Sequence, residues 1–167
     1  GGTVDLSAAE KIDFGDNGLM SLMFANNEIG TMQPIKQACD FAHEQGAFFH
    51  TDAVQAVGHV PINVKDLGVD MLSASAHKFN GPRGIGFLYV KKGTPLSAYA
   101  SGGAQEMGLR AGTENTAAIV GLAAALEENC SQMNAAATKL YELEKALVSH
   151  LTLKQLIFRR NGINQLP

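Results

Sequence analysis

The sequence predicts an α/β fold, a mostly parallel sheet with flanking helices. Three observations predict it. Short apolar runs alternate with helix-period segments; the first such segment has a proline at its start and a glycine at its stop; and the apolar runs end in polar clusters of the kind found at the carboxyl ends of parallel strands. The 167 residues suit one domain, and 46% apolar against 17% charged residues is enough apolar content for a core.

Residues 19–25, "LMSLMFA", form a short apolar run ending in polar "NNEIG", which reads as a buried strand entering a loop. Residues 34–45, "PIKQACDFAHEQ", begin with Pro34, place Ile35, Ala38, Phe41 and Ala42 on one face and stop at Gly46, an amphipathic helix. Residues 47–51, "AFFHT", predict the next strand; 69–75, "VDMLSAS", and 85–90, "IGFLYV", predict two more. Residues 114–130, beginning "ENTAAIVGLAAALEENC", predict a long helix, followed by a second over about 133–150. Polar groups at three strand ends, "NNEIG", "TDAVQ" and "SASAHK", are placed to converge on one pocket.

The charge balance narrows the partners. Formal net charge is −3 with no basic block, so the electrostatic footprint of a nucleic-acid binder is missing. There is no run of 18 apolar residues to span a membrane. The beginning, "GGTVDLSAAEK", has neither an initiator Met nor a signal pattern, and reads as part of a longer chain. Cys39 and Cys130 lie far apart without metal-ligand spacing; they are expected to be free thiols, buried or half-buried in helices, in a reducing cytoplasm.

Lys78, in "SASAHKFNGPRG", is either a solvated surface charge or a reactive amine. An amine attacks a carbonyl only when deprotonated, which desolvation or a neighbouring cation favours. His77 is adjacent, and the apolar strand before it is expected to supply a wall. Asp52 is either a helix N-cap or the carboxylate that keeps a pyridine nitrogen protonated, as the electron sink of pyridoxal 5'-phosphate requires. Gln55, three residues on, falls on the same face if a turn follows, where its amide can bond a phenolic oxygen. Ser75 caps a strand end or, with His77 and nearby N–H groups, cradles a phosphate. Asn27 is a turn former or a ligand to cofactor or substrate oxygens. Thr113, with Asn115 and Thr116 competing, caps the long helix or faces a phosphate at its N-terminus. Arg110 is a further candidate for an anion.

Together "NNEIGTMQPI", "HTDAVQAVGHVPINV", "DMLSASAHKFNGPRGIGFLYV" and "GGAQEMGLRAGTEN" resemble the pyridoxal-phosphate-dependent cysteine desulfurases of the class V aminotransferase group. The "RAGTEN" ending is most similar to the nitrogen-fixation and iron–sulfur-cluster branch. The resemblance runs from about residue 20 to about residue 128. It implies the large domain of a fold type I enzyme. It implies Lys78 as the Schiff-base lysine, Asp52 at the pyridine nitrogen and Gln55 at the phenolic oxygen. Ser75 and His77, with Ala76 between them, would seat the phosphate, and Asn27 would lie near substrate and ring. Thr113 would reach the phosphate of the other subunit in a homodimer. The implied reaction converts L-cysteine to L-alanine, with sulfur passed to an enzyme persulfide and on to a scaffold or other acceptor.

The same resemblance sets limits. The family's ring-stacking histidine and phosphate loop lie upstream of "NNEIG", and its persulfide cysteine and substrate-carboxylate arginine lie downstream. Cys39 and Cys130 match neither position, so neither is expected to be the nucleophile. Residues 1–160 are expected to be a partial large domain without its first strands, and 161–167, within "NGINQLP", the start of the small domain. Such a chain is expected to oligomerise and to be inactive alone. The competing expectations are another class V aminotransferase relative and a non-catalytic dimerisation module.

Overall fold

The computed structural model describes residues 2–159; the expected small-domain segment, 161–167, lies outside them. Strands β1 (Leu19–Met23), β2 (Phe48–Asp52), β3 (Met71–Ser75) and β4 (Gly86–Val90) form one sheet in the order β1-β2-β3-β4. The first three run parallel and β4 runs antiparallel to β3. The connections explain this. Helix α2 (Ile35–Glu44) carries the crossover from β1 to β2, and the short helix α3 (Val64–Leu67) lies between β2 and β3. Between β3 and β4 there is only a 3₁₀ turn, Ala76–Phe79, and a loop, so the chain folds back as a hairpin does. Ahead of β1 lies one further helical turn, α1 (Leu6–Ala9), capped by Asp5.

One sheet face is buried. Phe49 and Thr51 of β2 and Leu72 of β3 point onto α2, whose Ala38, Cys39 and Ala42 are fully buried. These small residues let the helix approach the strands closely, and the bulk of Phe49 fills the space between. The other face carries Ser21, His50 and Ser73 in a polar row: Ser21 Oγ lies 2.8 Å from His50 Nδ1, and His50 Nε2 lies 3.2 Å from Ser73 Oγ. Burial lowers the His50 pKa, against the opposing pull of the nearby Asp52 charge.

Asp70 staples the opposite end of the sheet from the carboxyl ends of β1 to β3. Its Oδ2 accepts from the Phe49 N–H at 2.8 Å and from His43 Nε2 of α2 at 2.7 Å, while Lys91 Nζ, just past β4, lies 3.6 Å from Oδ1. Burial alone would raise this carboxyl's pKa; the His43 and Phe49 hydrogen bonds and the His43 and Lys91 charges outweigh it and hold it below the ordinary aspartate value.

The last helix differs from expectation. In place of two helices, a single one, α4, runs from Thr116 to Leu153, 38 residues. The residues between the two expected segments, Ser131 and Gln132, include neither proline nor glycine, so nothing interrupts the ladder. Its N-cap is Asn115, whose side chain accepts from the Ala118 N–H, so the cap does not fall to Thr113. Leu122, Ala125 and Leu126 pack on the core; Leu140, Leu143, Leu147 and Leu153 are exposed. Among the described residues no helix is long and apolar enough to cross a membrane.

Candidate functional site

Because β1, β2 and β3 are parallel and in register, with Met23 beside Asp52 and Asp52 beside Ser73, their carboxyl ends lie side by side. The loop 26–31, Asp52 with Gln55, and the Ser75–Lys78 segment therefore share one edge of the sheet. Asp52 ends β2 and is exposed, and its Oδ1 accepts from the Val54 N–H at 3.0 Å. That is an Asx-type turn: no helix starts here, so Asp52 caps a turn in place of the expected helix, and its Oδ2 has no partner among the described residues. Gln55 is half-buried, and its amide has no hydrogen-bond partner among the described residues.

Ser75 closes β3, and its Oγ lies 2.9 Å from His77 Nδ1. Two groups suited to an anion are thus already joined, and His77 Nε2 has no partner among the described residues. Ala76 does not extend this seat. Its side chain is fully buried and its N–H donates to the Ile85 carbonyl at 3.0 Å. Lys78 is exposed on the 3₁₀ turn, and its Nζ has no partner among the described residues. The apolar wall expected from the preceding strand is not formed by these residues: β3 ends at Ser75, and the apolar side chain beside Lys78, Phe79, turns into the core at 0% exposure.

Asn27 is exposed and, among the described residues, its side chain bonds only Glu28, at 3.0 Å. The residue that shapes its loop is Asn26, whose Oδ1 accepts from the Glu28 and Ile29 N–H groups at 2.8 and 3.0 Å. Thr113 is exposed and, among the described residues, no hydrogen bond ties it to the Lys78 cluster. The segment before it closes on itself: Tyr99 donates to Leu109, Ala111 donates to Ala100, and Arg110 Nη1 turns back onto the Ala111 carbonyl at 3.2 Å. The edge thus assembles Asp52, Gln55, Ser75, His77 and Lys78, with Asn27 on the adjoining loop and Thr113 apart.

The two cysteines diverge from a shared expectation. Cys39 is fully buried in α2, 3.8 to 3.9 Å from the ring nitrogens of His43, whereas Cys130 is exposed on α4. Burial first, and the Asp70 and Asp40 charges after it, push the Cys39 thiol up to about 11. A thiol held protonated and sealed is no nucleophile. Brief treatment of the native protein with an alkylating reagent at neutral pH is expected to label Cys130 and spare Cys39, read by peptide mass spectrometry. Equal labelling would show that the α2 interface opens.

Several working residues carry no sequence signal. Asp70 and His43 are separated by 27 positions, and Asn129 and His59 each bond a backbone carbonyl of the Lys78 turn.

The donor set fits pyridoxal 5'-phosphate on the chemistry of its unspent atoms. An amine for the aldehyde, a carboxylate oxygen for the pyridine nitrogen, an amide, and a hydroxyl–imidazole pair for the phosphate all stand on one sheet edge. The model of the aminotransferase class-V family matches residues 1–165, beyond both ends of the motifs quoted above. A cysteine desulfurase IscS of Dictyoglomus turgidum is 45% identical over 168 residues, 99% of this chain and 43% of that protein. A NifS-like protein from Rickettsia africae has a similar structure, with a TM-score of 0.89 and 32% identity over 99% of this chain and 47% of that one. A structure described as SspA in complex with cysteine matches with a TM-score of 0.71 and 42% identity over 75% of this chain and 37% of that one. The chain thus spans less than half the length of each of these relatives.

Proposed function

The chain belongs to the aminotransferase class-V family, and on that premise we propose that its protein is a pyridoxal-phosphate-dependent cysteine desulfurase. The reaction is conversion of L-cysteine to L-alanine, with sulfur passed to a cysteine thiolate other than Cys39 and Cys130. The observation that carries the proposal is the edge of parallel strands on which Asp52 Oδ2, His77 Nε2 and Lys78 Nζ have no hydrogen-bond partner among the described residues and Ser75 Oγ is joined to His77.

Each residue has a defined task. When bound, pyridoxal 5'-phosphate supplies an electron sink that stabilises charge at the substrate Cα. Asp52 Oδ2 holds the proton on the pyridine nitrogen, while its other oxygen, already committed to Val54, fixes the carboxylate plane. Ser75 Oγ and His77 bind phosphate oxygens, and their mutual hydrogen bond orients both. Gln55 donates to the phenolic oxygen. Lys78 Nζ would be the amine that holds the cofactor's aldehyde group, and the free amine would move the Cα proton. Asn27 adjoins the substrate, and Thr113, standing apart from this edge, serves the phosphate of a partner subunit in a homodimer. A sulfur-acceptor scaffold and a reducing cytoplasm complete the proposal.

The test is product analysis with the purified protein and added cofactor. L-Cysteine is expected to yield alanine and sulfide in the presence of a thiol reductant. Transamination of alanine with glyoxylate, and none of this chemistry on cysteine, would replace the desulfurase reading with the aminotransferase one. No turnover of either by the complete protein would leave only a binding module.

A further inference from the structure

We propose that His59 and Asn129 are positioning residues for Lys78: they hold the two carbonyls of its own turn, and so fix the lysine's backbone from outside the strand that carries it. The proposal rests on the reading of Lys78 as the cofactor-binding amine.

The 3₁₀ turn Ala76–Phe79 satisfies little of itself. Its Ala76 carbonyl accepts from the N–H groups of Asn80 and Gly81, with Asn80 left-handed at φ 65° to close the turn. The carbonyls of Lys78 and Phe79 have no backbone partner among the described residues, as at any helical terminus. Each is taken instead by a side chain from elsewhere. His59 Nε2, in the segment after β2, lies 2.8 Å from the Lys78 oxygen. Asn129 Nδ2, on α4, donates to the Phe79 oxygen at 2.7 Å and to its own helix at Ala125 at 2.8 Å. Its Oδ1 accepts from Asn80 Nδ2 at 3.2 Å. All the hydrogen-bonding positions used on Asn129 therefore point at the turn or at the helix that anchors it.

Two close approaches make the grip tight. A Cβ at Gly58, beside His59, would lie 2.8 Å from Phe79 Cβ, and the residue has φ +80°, so only glycine fits. At Gly121, a Cβ would lie 2.8 Å from Pro82 Cγ, so α4 also touches the loop after the turn. Phe79, fully buried, is the pin, and the Lys78 peptide plane is its exposed neighbour. A carbonyl only accepts, so His59 Nε2 is the donor and carries the hydrogen. With no partner for Nζ among the described residues, the direction of the lysine is set by this backbone, and small misplacements of a reacting group are costly.

The experiment uses the full protein titrated with pyridoxal 5'-phosphate, read by the visible band of the lysine-bound cofactor at about 420 nm. His59→Ala is expected to weaken apparent cofactor affinity roughly fivefold, the effect of one lost hydrogen bond. His59→Gln, which places an amide N–H where Nε2 was, is expected to return to within about twofold of wild type. The thermal midpoint of both is expected to stay at the wild-type value, because His59 is exposed. Asn129→Ala is expected to weaken binding in the same direction. Affinity unchanged in His59→Ala, or equally weak in His59→Gln, overturns the proposal. Lys78→Ala separates the two ideas: if it keeps the band, the reading of Lys78 fails and the positioning role with it. If Lys78→Ala loses the band while His59→Ala matches wild type, only the positioning role fails.

Discussion

Replacing Lys78 by alanine is expected to lower alanine production from cysteine by about 10²–10⁴-fold, the range for loss of a positioned acid–base group. Folding is expected to change by no more than about 0.5 kcal/mol, because the side chain is exposed and its ammonium has no partner among the described residues. Arginine sharpens the experiment. It keeps the charge and the reach but is never deprotonated, so Lys78→Arg should be as inactive as alanine if the amine is what matters. Substantial turnover by Lys78→Arg would mean that position 78 supplies only positive charge, and the assignment of its role would be wrong.

The second large effect concerns stability. Asp70→Ala is expected to cost about 3 kcal/mol, measured as a fall in the urea midpoint at neutral pH with unchanged m-value. The substitution leaves the N–H of fully buried Phe49 without its acceptor and removes the partner of His43. Asp70→Asn keeps an acceptor and loses only the charge, so a smaller loss is expected. The pH dependence follows from the direction of the shift. The folded carboxyl lies below the ordinary aspartate value, so the unfolded state binds the proton more readily. The contribution is therefore complete above that ordinary value and disappears as pH falls through the folded pKa. Wild type and Asp70→Asn should converge in stability in strong acid. A gap that persists there would place the stabilisation in packing.

Much of the sheet was legible because each strand is a short apolar run with a polar end, and the observed bounds fall within two residues of the expected ones. The reversal of β4 was not written in its own residues; it follows from the missing crossover helix between β3 and β4. The two residues between the expected last helices, Ser131 and Gln132, are polar, but polarity without proline or glycine does not stop a helix. In the site, Asp52, Ser75 and Lys78 could be read because they sit at strand ends, where position alone suggests chemistry. Asn26 took the turn-forming role offered to Asn27, since an Asx turn needs the side chain two residues before the N–H it accepts. His59 and Asn129 act 19 and 50 positions away through carbonyl oxygens, and no pattern of residue types records a backbone acceptor.

The uninterrupted course of α4 has a mechanical consequence. Thirty-eight residues at 1.5 Å each make a rod of about 57 Å, and Asn129 sits about a third of the way along it. Two helices with a joint between them would let the far half swing freely. A single rod behaves as a lever: a tilt imposed at its leucine-lined outer end is carried without slack to the fulcrum where Asn129 grips the lysine turn.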